Sequence, residues 1–531
     1  MTTPAPNPQL TRLLRRLAAQ QGALRQLDQY YTGTQPLSFL APELARELGE
    51  RLRSMVVNWP RIVVDSLEER LDVEGFRLAV DGPADKDLWR IWQANNMDEG
   101  SQLVHKDSFV HGLSFALVWD DPDDPETPKI TGESAEQVAV EFKPGTTEVA
   151  AAVKHWREDD LAYANVYQPG LIDKYQAQLT SGVFIPGLGQ WQKIGQISHG
   201  LGVPVVPFIN RGRLTRPYGE SEITDVVPLV DGINKLATDM MVSAEFHAGI
   251  RRWVTGLDLG DGEGADVRAS ELIRQRWTRA AADKVWAVSD ENVRFGQFSE
   301  AQLENFIKGI EMFEAQIAAI AGLPPHYVGL MSQANPASAD AIRSAEASLV
   351  KRARRKHRVL GGSWERVLRL ALQIIDINHG GDGLQVVKQS AAMETIWRSP
   401  ETPTVAQMVD AAQKLDSIGL PLRQNLERLD YTPTQIDRVF QTRLDDAAGE
   451  ALALAQAADR IVEKTGFSRA AALSMVGLQE AAKVEAIVEA RSPGPGVVND
   501  AELAAEVEAA TPAAPIPESH AADSPPAVPA A

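Results

Sequence analysis

An apolar repeat between residues 303 and 320 constrains the fold of this chain more than any other feature of its sequence. Apolar side chains recur there at spacings of 3, 4, 3, 4 and 3 residues, at Leu303, Phe306, Ile310, Phe313, Ile317 and Ile320. This period predicts an amphipathic helix that packs against another helix of the same chain or of a neighbouring subunit. Ser299 and Gln302 form a capping-box pattern at its start, and Gly322 and Pro324 mark its end.

The rest of the sequence predicts an α+β fold that is mainly helical. The first 115 residues have helical patterns, interrupted by β-branched or aromatic runs at 61–64 and 76–80 that predict a pair of short strands. From residue 114 to 208, short apolar or alternating segments separated by Asp-, Pro- and Gly-rich turns predict an antiparallel β region. Helical patterns return after Gly219, where Ser221 is the expected N-cap.

A long helix is predicted from Ser338 towards Ile375, and Gly361 and Gly362 are expected to weaken or kink it. Its middle holds the only dense basic run of the sequence, which includes Lys351, Arg352, Arg354, Arg355 and Arg358. Such a run is typical of a solvated or salt-bridged helix face, and less often of a phosphate-binding site. The sequence leaves both interpretations open.

The C-terminal part consists of a helical region followed by a segment of biased composition. Helical patterns continue from about residue 403, whereas residues 492–531 contain 8 Pro, 12 Ala and 6 acidic residues without any Lys or Arg. That composition cannot bury enough apolar surface to fold, so we expect a disordered tail.

Composition excludes several classes of function. The 531 residues have a net charge of −19, which is unlike a protein that coats duplex DNA along a broad basic surface. The absence of cysteine excludes disulfides, thiolate metal sites and a Cys nucleophile. The N-terminus has no apolar signal region, and no segment is apolar over enough residues to span a membrane, so we expect neither a secretory signal nor membrane association.

No catalytic constellation is apparent in the sequence. It contains neither a P-loop nor an H-E-x-x-H motif, and its nine His residues are scattered. We therefore expect a protein that is not an enzyme and has no cofactor. Three classes remain open: a structural conduit, a helical scaffold or adaptor without a channel, and an enzyme with an unrecognised site.

Several short sequence motifs follow one another between about residues 25 and 375. They include Tyr30-Tyr31-Thr32-Gly33, Asn58-Trp59-Pro60-Arg61, Val203-Pro204-Val205-Val206-Pro207-Phe208-Ile209-Asn210, Gly219-Glu220-Ser221-Glu222-Ile223, Leu229-Val230-Asp231-Gly232, Gly322-Leu323-Pro324-Pro325-His326-Tyr327 and Asn335-Pro336-Ala337-Ser338. In this order and spacing they resemble the portal proteins of tailed bacteriophages, specifically the siphophage-type family common in phages of actinobacteria.

The resemblance implies a ring, usually of twelve subunits, at one vertex of the capsid. Such a ring is the channel for packaging and ejection of dsDNA and binds it without regard to sequence. The implied partners are further copies of the chain, the terminase large subunit, a head-completion adaptor, and the major capsid and scaffolding proteins. The implied location is the virion, after assembly in the cytoplasm of the host bacterium.

The resemblance also implies a division of the chain. The parts are a wing (1–222), stem helices (223–246 and 299–322), a clip (247–298), a tunnel-loop candidate (323–337), a long wing helix with its return (338–400), a helical crown (401–491) and the tail (492–531). Gln333, Asn335 and Ser338 are small neutral hydrogen-bonding residues in or beside the candidate tunnel loop, suited to transient contacts with phosphates. We expect the basic run to contact carboxylates of a neighbouring subunit or phosphates, and the apolar repeat to pack the stem.

Overall fold

The computed structural model describes residues 7–36, 56–78, 84–178, 191–247, 252–255, 294–297, 303–328, 339–401, 405–466 and 468–478. The chain divides into two compact units, Met1–Pro433 and Thr434–Ala531. Each unit is described by itself.

The first helix of this unit begins and ends at residues that satisfy its free backbone groups. Asn7 caps the first helix by accepting a hydrogen bond from the Gln9 amide, and Gly33 ends it in the left-handed region. The helices are α1 (Pro8–Thr32), α2 (Trp59–Glu68), α3 (Lys86–Ala94), α4 (Met97–His111), α5 (Val227–His247), α6 (Glu304–Ala321), α7 (Ala339–Asn378), α8 (Leu384–Gln389), α9 (Val405–Ser417) and α10 (Leu422–Arg428).

The strands of this unit pair antiparallel. They are β1 (Val73–Arg77), β2 (Leu113–Trp119), β3 (Lys129–Ser134), β4 (Val138–Phe142), β5 (Val149–Glu158), β6 (Leu161–Gln168), β7 (Leu171–Gln178), β8 (Gln192–Ser198), β9 (Val205–Ile209), β10 (Arg252–Thr255), β11 (Arg294–Gln297) and β12 (Glu394–Trp397). The sheet orders are β3-β2-β9, β4-β5-β6-β7-β8, β1-β12 and β10-β11. The α+β class and the antiparallel β region predicted from the sequence are confirmed.

Helix α1 covers the five-stranded sheet with its leucine face. Leu10, Leu13, Leu14 and Leu17 are fully buried against small side chains of β4, β5 and β6, among them Ala139, Ala151 and Ala164. Small residues on the sheet leave room for the leucines, so the helix lies close to the strands.

The prediction of a strand at 61–64 is wrong. These residues lie in α2, which Asn58 caps by accepting a hydrogen bond from the Arg61 amide and which has Pro60 in its first turn. Val63 and Val64 are buried on one face of the helix, so packing and capping override the β-propensity of these residues. Phe76 and Arg77 of the predicted segment at 76–80 do lie in a strand, β1, which pairs with β12.

Helix α7 continues without a break through Gly361 and Gly362, where the sequence predicts a weak or kinked point. A Cβ at Gly361 would lie 3.1 Å from Nε1 of Trp397 and 3.5 Å from the Thr395 side chain. The absence of a side chain at Gly361 therefore lets β12 approach the helix closely.

The core of the first unit centres on Trp364 of α7. Its ring meets Phe208 at a centroid distance of 4.4 Å and Trp92 at 4.9 Å, and Trp92 meets Phe76 at 5.2 Å. All four side chains are fully buried. One aromatic cluster thus joins α3, α7, β1 and β9.

The second unit is helical where it is described. It contains α11 (Pro433–Thr465) and α12 (Arg469–Met475). Ser468 caps α12 by accepting a hydrogen bond from the Ala471 amide, and Ala458 is buried with Ala472 and Leu473. The predicted disordered tail at 492–531 lies outside the described residues and remains a prediction.

Candidate functional site

A buried cluster of charges lies where the β region meets helices α5, α6 and α7. Its centre is Glu222, whose side chain is only 1% exposed. One carboxylate oxygen, Oε1, accepts a hydrogen bond from Nζ of Lys356 at 2.6 Å, and Oε2 accepts one from Nη2 of Arg352 at 2.6 Å. Lys356 also donates to the side-chain oxygen of Asn210. We call these four residues the charge cluster.

The electrostatics of the charge cluster keep Glu222 ionised. Burial alone would raise the pKa of Glu222, but the positive charges of Lys356 and Arg352 lower it below its usual value. Burial lowers the pKa of Lys356 despite Glu222, and the like charges of Arg352 and Arg211 add to the effect. The stabilisation from Glu222 is therefore complete above the pKa of the unfolded chain and is lost as the pH falls through the lowered folded value.

Local backbone geometry places Glu222 at this position. Gly219 adopts a φ of 76°, and the Glu220 amide then donates to the Asn210 carbonyl at 2.9 Å. The Glu222 amide donates to the Phe109 carbonyl at 2.9 Å. Ser221 is not the N-cap of α5, since the helix begins at Val227 and the Ser221 hydroxyl donates to the Phe109 carbonyl. The segment is thus held against the end of α4.

Arg352 connects the charge cluster to the end of α6. Its guanidinium donates through Nη1 to the carbonyls of Ile320 and Ala321, in the last turn of that helix. A cation at this position interacts favourably with the helix dipole and satisfies carbonyls that have no partner within the helix. Gly322 ends α6 with a φ of 68°. One arginine thus ties α6 and α7 to the Glu222 carboxylate.

Helices α5 and α6 pack against each other through two glycines. A Cβ at Gly232 would lie 3.1 Å from the Phe313 ring, and one at Gly309 would lie 3.0 Å from Cδ1 of Leu236. Of the six residues of the apolar repeat, Ile317 is fully buried, whereas Leu303, Phe306, Ile310 and Phe313 are partly buried and Ile320 is 48% exposed. Ser299 and Gln302, the predicted start of the helix, lie outside the described residues.

The basic run of α7 is divided between two faces. Arg352 belongs to the charge cluster, and exposed Arg354 forms an ion pair with Glu401 at 2.6 Å. Lys351, Arg355 and Arg358 are exposed. The structure therefore gives Arg352 and Arg354 carboxylate partners within the chain, and contacts of the run with a neighbouring subunit or with phosphates remain a prediction.

The segment between α6 and α7 is described only in part. Gln333, Asn335 and Ser338 lie outside the described residues, and the part of residues 323–337 that is described ends at Val328, in a short 3₁₀ helix that begins at Pro325.

Within the described ranges, no cluster of His, Asp or Glu could hold a metal ion, and no helix is long and apolar enough to cross a bilayer.

Comparison with known proteins identifies the family. A model of the family described as "Phage portal protein, SPP1 Gp6-like" matches residues 11–428. The chain belongs to this portal protein family. The portal protein of Mycobacterium phage L5 is 35% identical over 402 residues, which cover 73% of this chain and 78% of the relative. That of Mycobacterium phage D29 is 34% identical over 403 residues, which cover 74% and 79%.

Two solved structures are also similar to this portal-family chain. One is a chain of the virion of a native gene transfer agent particle, with a TM-score of 0.40 and 14% identity over 76% of this chain and 92% of the other. The second is a chain from the neck of an empty gene transfer agent particle, with a TM-score of 0.43 and 14% identity over 76% and 93%.

Sequence reasoning missed the charge cluster of this portal-family protein, although one signal for it was present. On α7 the buried positions include Leu349, Ala353, Leu360 and Trp364, and Lys356 falls on the same stripe. A lysine on the buried face of a helix requires an anionic partner. The period could have singled out Lys356, but not its partner Glu222, which is 134 residues away.

A buried histidine makes the stability of the portal-family chain depend on pH. His105 is fully buried and accepts a hydrogen bond at Nε2 from Nε1 of Trp364 at 2.8 Å. Burial, with the nearby charge of His357, lowers the pKa of His105 to about 3. Below a pH of about 6.5 the unfolded chain gains a proton here that the folded chain does not, so about 1.4 kcal/mol of stability is lost per pH unit.

We expect the difference in unfolding free energy between the wild type and His105→Gln to shrink as the pH falls from about 7 to about 5. The variant has no group to titrate here, whereas the wild type loses stability. Urea unfolding at several pH values measures this difference. The comparison removes the opposite contribution of Glu68 and Glu74, whose pKa values burial raises to about 7. A difference that stays constant with pH would show that His105 is not kept neutral.

Proposed function

We propose that this chain forms a closed ring at one vertex of the capsid and that dsDNA passes through its centre during packaging and ejection. The observation that supports this proposal is the match of the portal family model to residues 11–428, which includes α5, α6 and α7. Membership of this family makes a structural protein of the virion the function that the chain supports best. Assembly would take place in the cytoplasm of the host before DNA enters.

The proposal assigns parts of the chain to the ring. Helices α5 and α6 would form the stem, and the β region with α1 to α4 and α7 would form the wing. Residues 247–298, which include the β10–β11 pair, would form the clip that meets the terminase large subunit and later the head-completion adaptor. The helices from α9 onwards would form the crown, and the wing would face the major capsid and scaffolding proteins.

The net negative charge of the chain favours a channel through which DNA moves rather than a surface that binds DNA tightly. A basic lumen would hold the duplex through counterion release and resist its movement, whereas a chain with a net charge of −19 offers little such attraction. Gln333, Asn335 and Ser338 would supply transient contacts to phosphates without reading sequence.

We expect purified protein to form closed rings with a central hole. Twelve copies of the 57.8 kDa chain would have a mass of about 690 kDa. Native mass spectrometry measures the mass, and negative-stain imaging shows the hole. The chain without its partners is compared with the chain after addition of scaffolding protein, since assembly can require it. A monomer under both conditions would favour an adaptor without a channel, and a small closed oligomer would favour an enzyme.

A further inference from the structure

An open cleft of about 1650 Å³ lies beside the charge cluster. The β4–β5 turn, residues 209–218 and the middle of α7 surround it. Seven of its lining residues are Lys or Arg and three are Glu or Asp, although the whole chain is acidic. Such a local excess of cations in an acidic protein indicates a site for an anionic partner.

Three arginines of this cleft have no carboxylate partner among the described residues. Arg211 pairs with Asp225, and Arg352 with Glu222, but Arg213, Arg355 and Arg366 form no ion pair there. Arg366 is half-buried, and within the described part of the chain it donates to the Gly362 carbonyl and the Ser363 hydroxyl. Burial lowers the pKa of Arg366, and neighbouring Arg369 adds to this effect. We call the space around Arg213, Arg355 and Arg366 the arginine cleft.

The cleft also presents aliphatic side chains. Leu214 is fully exposed in the turn between Arg213 and Arg216, and Ile320 and Val359 are 48% and 47% exposed. The phosphates of a duplex have no apolar surface against which these aliphatic side chains could be buried. A polypeptide has both carboxylates and apolar side chains. The mixture favours a protein segment as the occupant.

The same unit carries an acidic segment of suitable charge. Residues 120–126, between β2 and β3, include Asp120, Asp121, Asp123, Asp124 and Glu126. We call this segment the acidic turn. Asp123 and Asp124 are exposed at its tip, while Asp120 accepts a hydrogen bond from Asn378 at 2.8 Å and Glu126 lies 2.6 Å from His379.

These contacts place the acidic turn at the C-terminal end of α7, about 35 Å along the helix from Arg355 at a rise of 1.5 Å per residue. A single chain therefore cannot insert its own acidic turn into its own cleft. Two different surfaces at separate places on one molecule are what a head-to-tail contact requires, and such contacts generate rings.

We propose that the arginine cleft of one subunit binds the acidic turn of the next copy of this chain. The inference rests on the proposed ring and specifies which surfaces meet within it. Desolvated charges of opposite sign would fix the register of neighbouring subunits, and Leu214 would add apolar contact.

Charge reversal on each side tests the contact. Arg213→Glu with Arg355→Glu reverses exposed residues of the cleft, and Asp123→Lys with Asp124→Lys reverses the tip of the turn. Each pair is expected to lower the fraction of chains in rings about tenfold or more at limiting protein concentration, because like charges then face each other. All four changes in one chain restore opposite charges at every contact, so ring formation is expected to recover.

A matched control is available on another acidic turn. Glu158→Lys with Asp160→Lys changes the net charge by the same amount as the turn variant does, at exposed positions at the end of β5 and in the turn that follows, and is expected to leave ring formation unchanged. Thermal unfolding of each variant separates loss of contact from loss of fold. The inference would be overturned if the variant with Asp123→Lys and Asp124→Lys formed rings as well as the wild type does. It would also be overturned if the variant with all four changes did not recover ring formation. A cleft variant that forms rings but loses salt-dependent binding of duplex DNA would overturn it as well.

Crosslinking separates failure of this contact from failure of the ring. Because the chain has no cysteine, Val359→Cys and Asp123→Cys in one chain introduce its only thiols. Oxidation is expected to yield covalent dimers, trimers and larger species, and each single variant at most a dimer. Rings without a covalent series would contradict the contact and leave the proposed function intact. A wild-type chain that forms no ring with scaffolding protein present would contradict both.

Discussion

Replacement of Glu222 by Gln is expected to lower the free energy of unfolding of the first unit by about 3–5 kcal/mol. The amide keeps the size of the side chain but removes the only negative charge of the charge cluster. Lys356, whose side chain is 11% exposed, and Arg352 are then left without an anion. Denaturant unfolding, followed by the fluorescence of the buried tryptophans, measures the change.

Two further variants test the cause of this loss. Asp225→Asn removes an ion pair of similar length, 2.7 Å to Arg211, but both side chains are more than 30% exposed. That change is expected to cost less than about 1 kcal/mol. Lys356→Met in the Glu222→Gln background removes the uncompensated charge and is expected to restore part of the stability. If Glu222→Gln and Asp225→Asn had equal effects, burial of the cluster would not be the reason.

The substitution Gly219→Ala is expected to destabilise the same unit by about 2–5 kcal/mol, from a left-handed backbone and from overpacking. At this φ of 76°, a Cβ would lie 2.3 Å from the Gly112 carbonyl oxygen and 2.4 Å from that of Asn210. Both obstacles are backbone atoms, so they cannot move aside as a flexible side chain would.

Gly202→Ala is the matched control. Its Cβ would meet no atom within 4 Å. The control is expected to change stability by less than about 1 kcal/mol, because it alters mainly the entropy of the unfolded chain. Equal unfolding midpoints for the two alanine variants would contradict the close approach of residues 112 and 219.

Periodicity predicted the parts of this fold that depend on local sequence. The short strands of the β region and the repeat in α6 each follow from a pattern within about 25 residues. Prediction failed where distant residues decide the outcome. The stretch at 61–64 favours a strand by composition, but Asn58 and Pro60 start a helix and the valines find apolar neighbours on one of its faces.

The site was less predictable than the fold for the same reason. The run from Lys351 to Arg358 has the composition of a solvated helix face, yet Lys356 turns inward to a carboxylate that lies far away in sequence. The Ser221 hydroxyl likewise donates to a backbone carbonyl of α4, and the backbone of Gly219 lies close to the carbonyl of Gly112, the C-cap of α4. No local pattern specifies such contacts, because the topology brings them together.

The pairing of β1 with β12 has a consequence for synthesis of the protein. Val73 lies opposite Trp397, so about 320 residues must be added before the strand has its partner. At the usual rate of translation this takes roughly 15–65 s. During most of that time the edge of β1 has no partner strand, and the ring of Trp92 has no Trp364 to pack against. The fold around β1 can therefore be completed only after residues 394–397 of β12 have been synthesised.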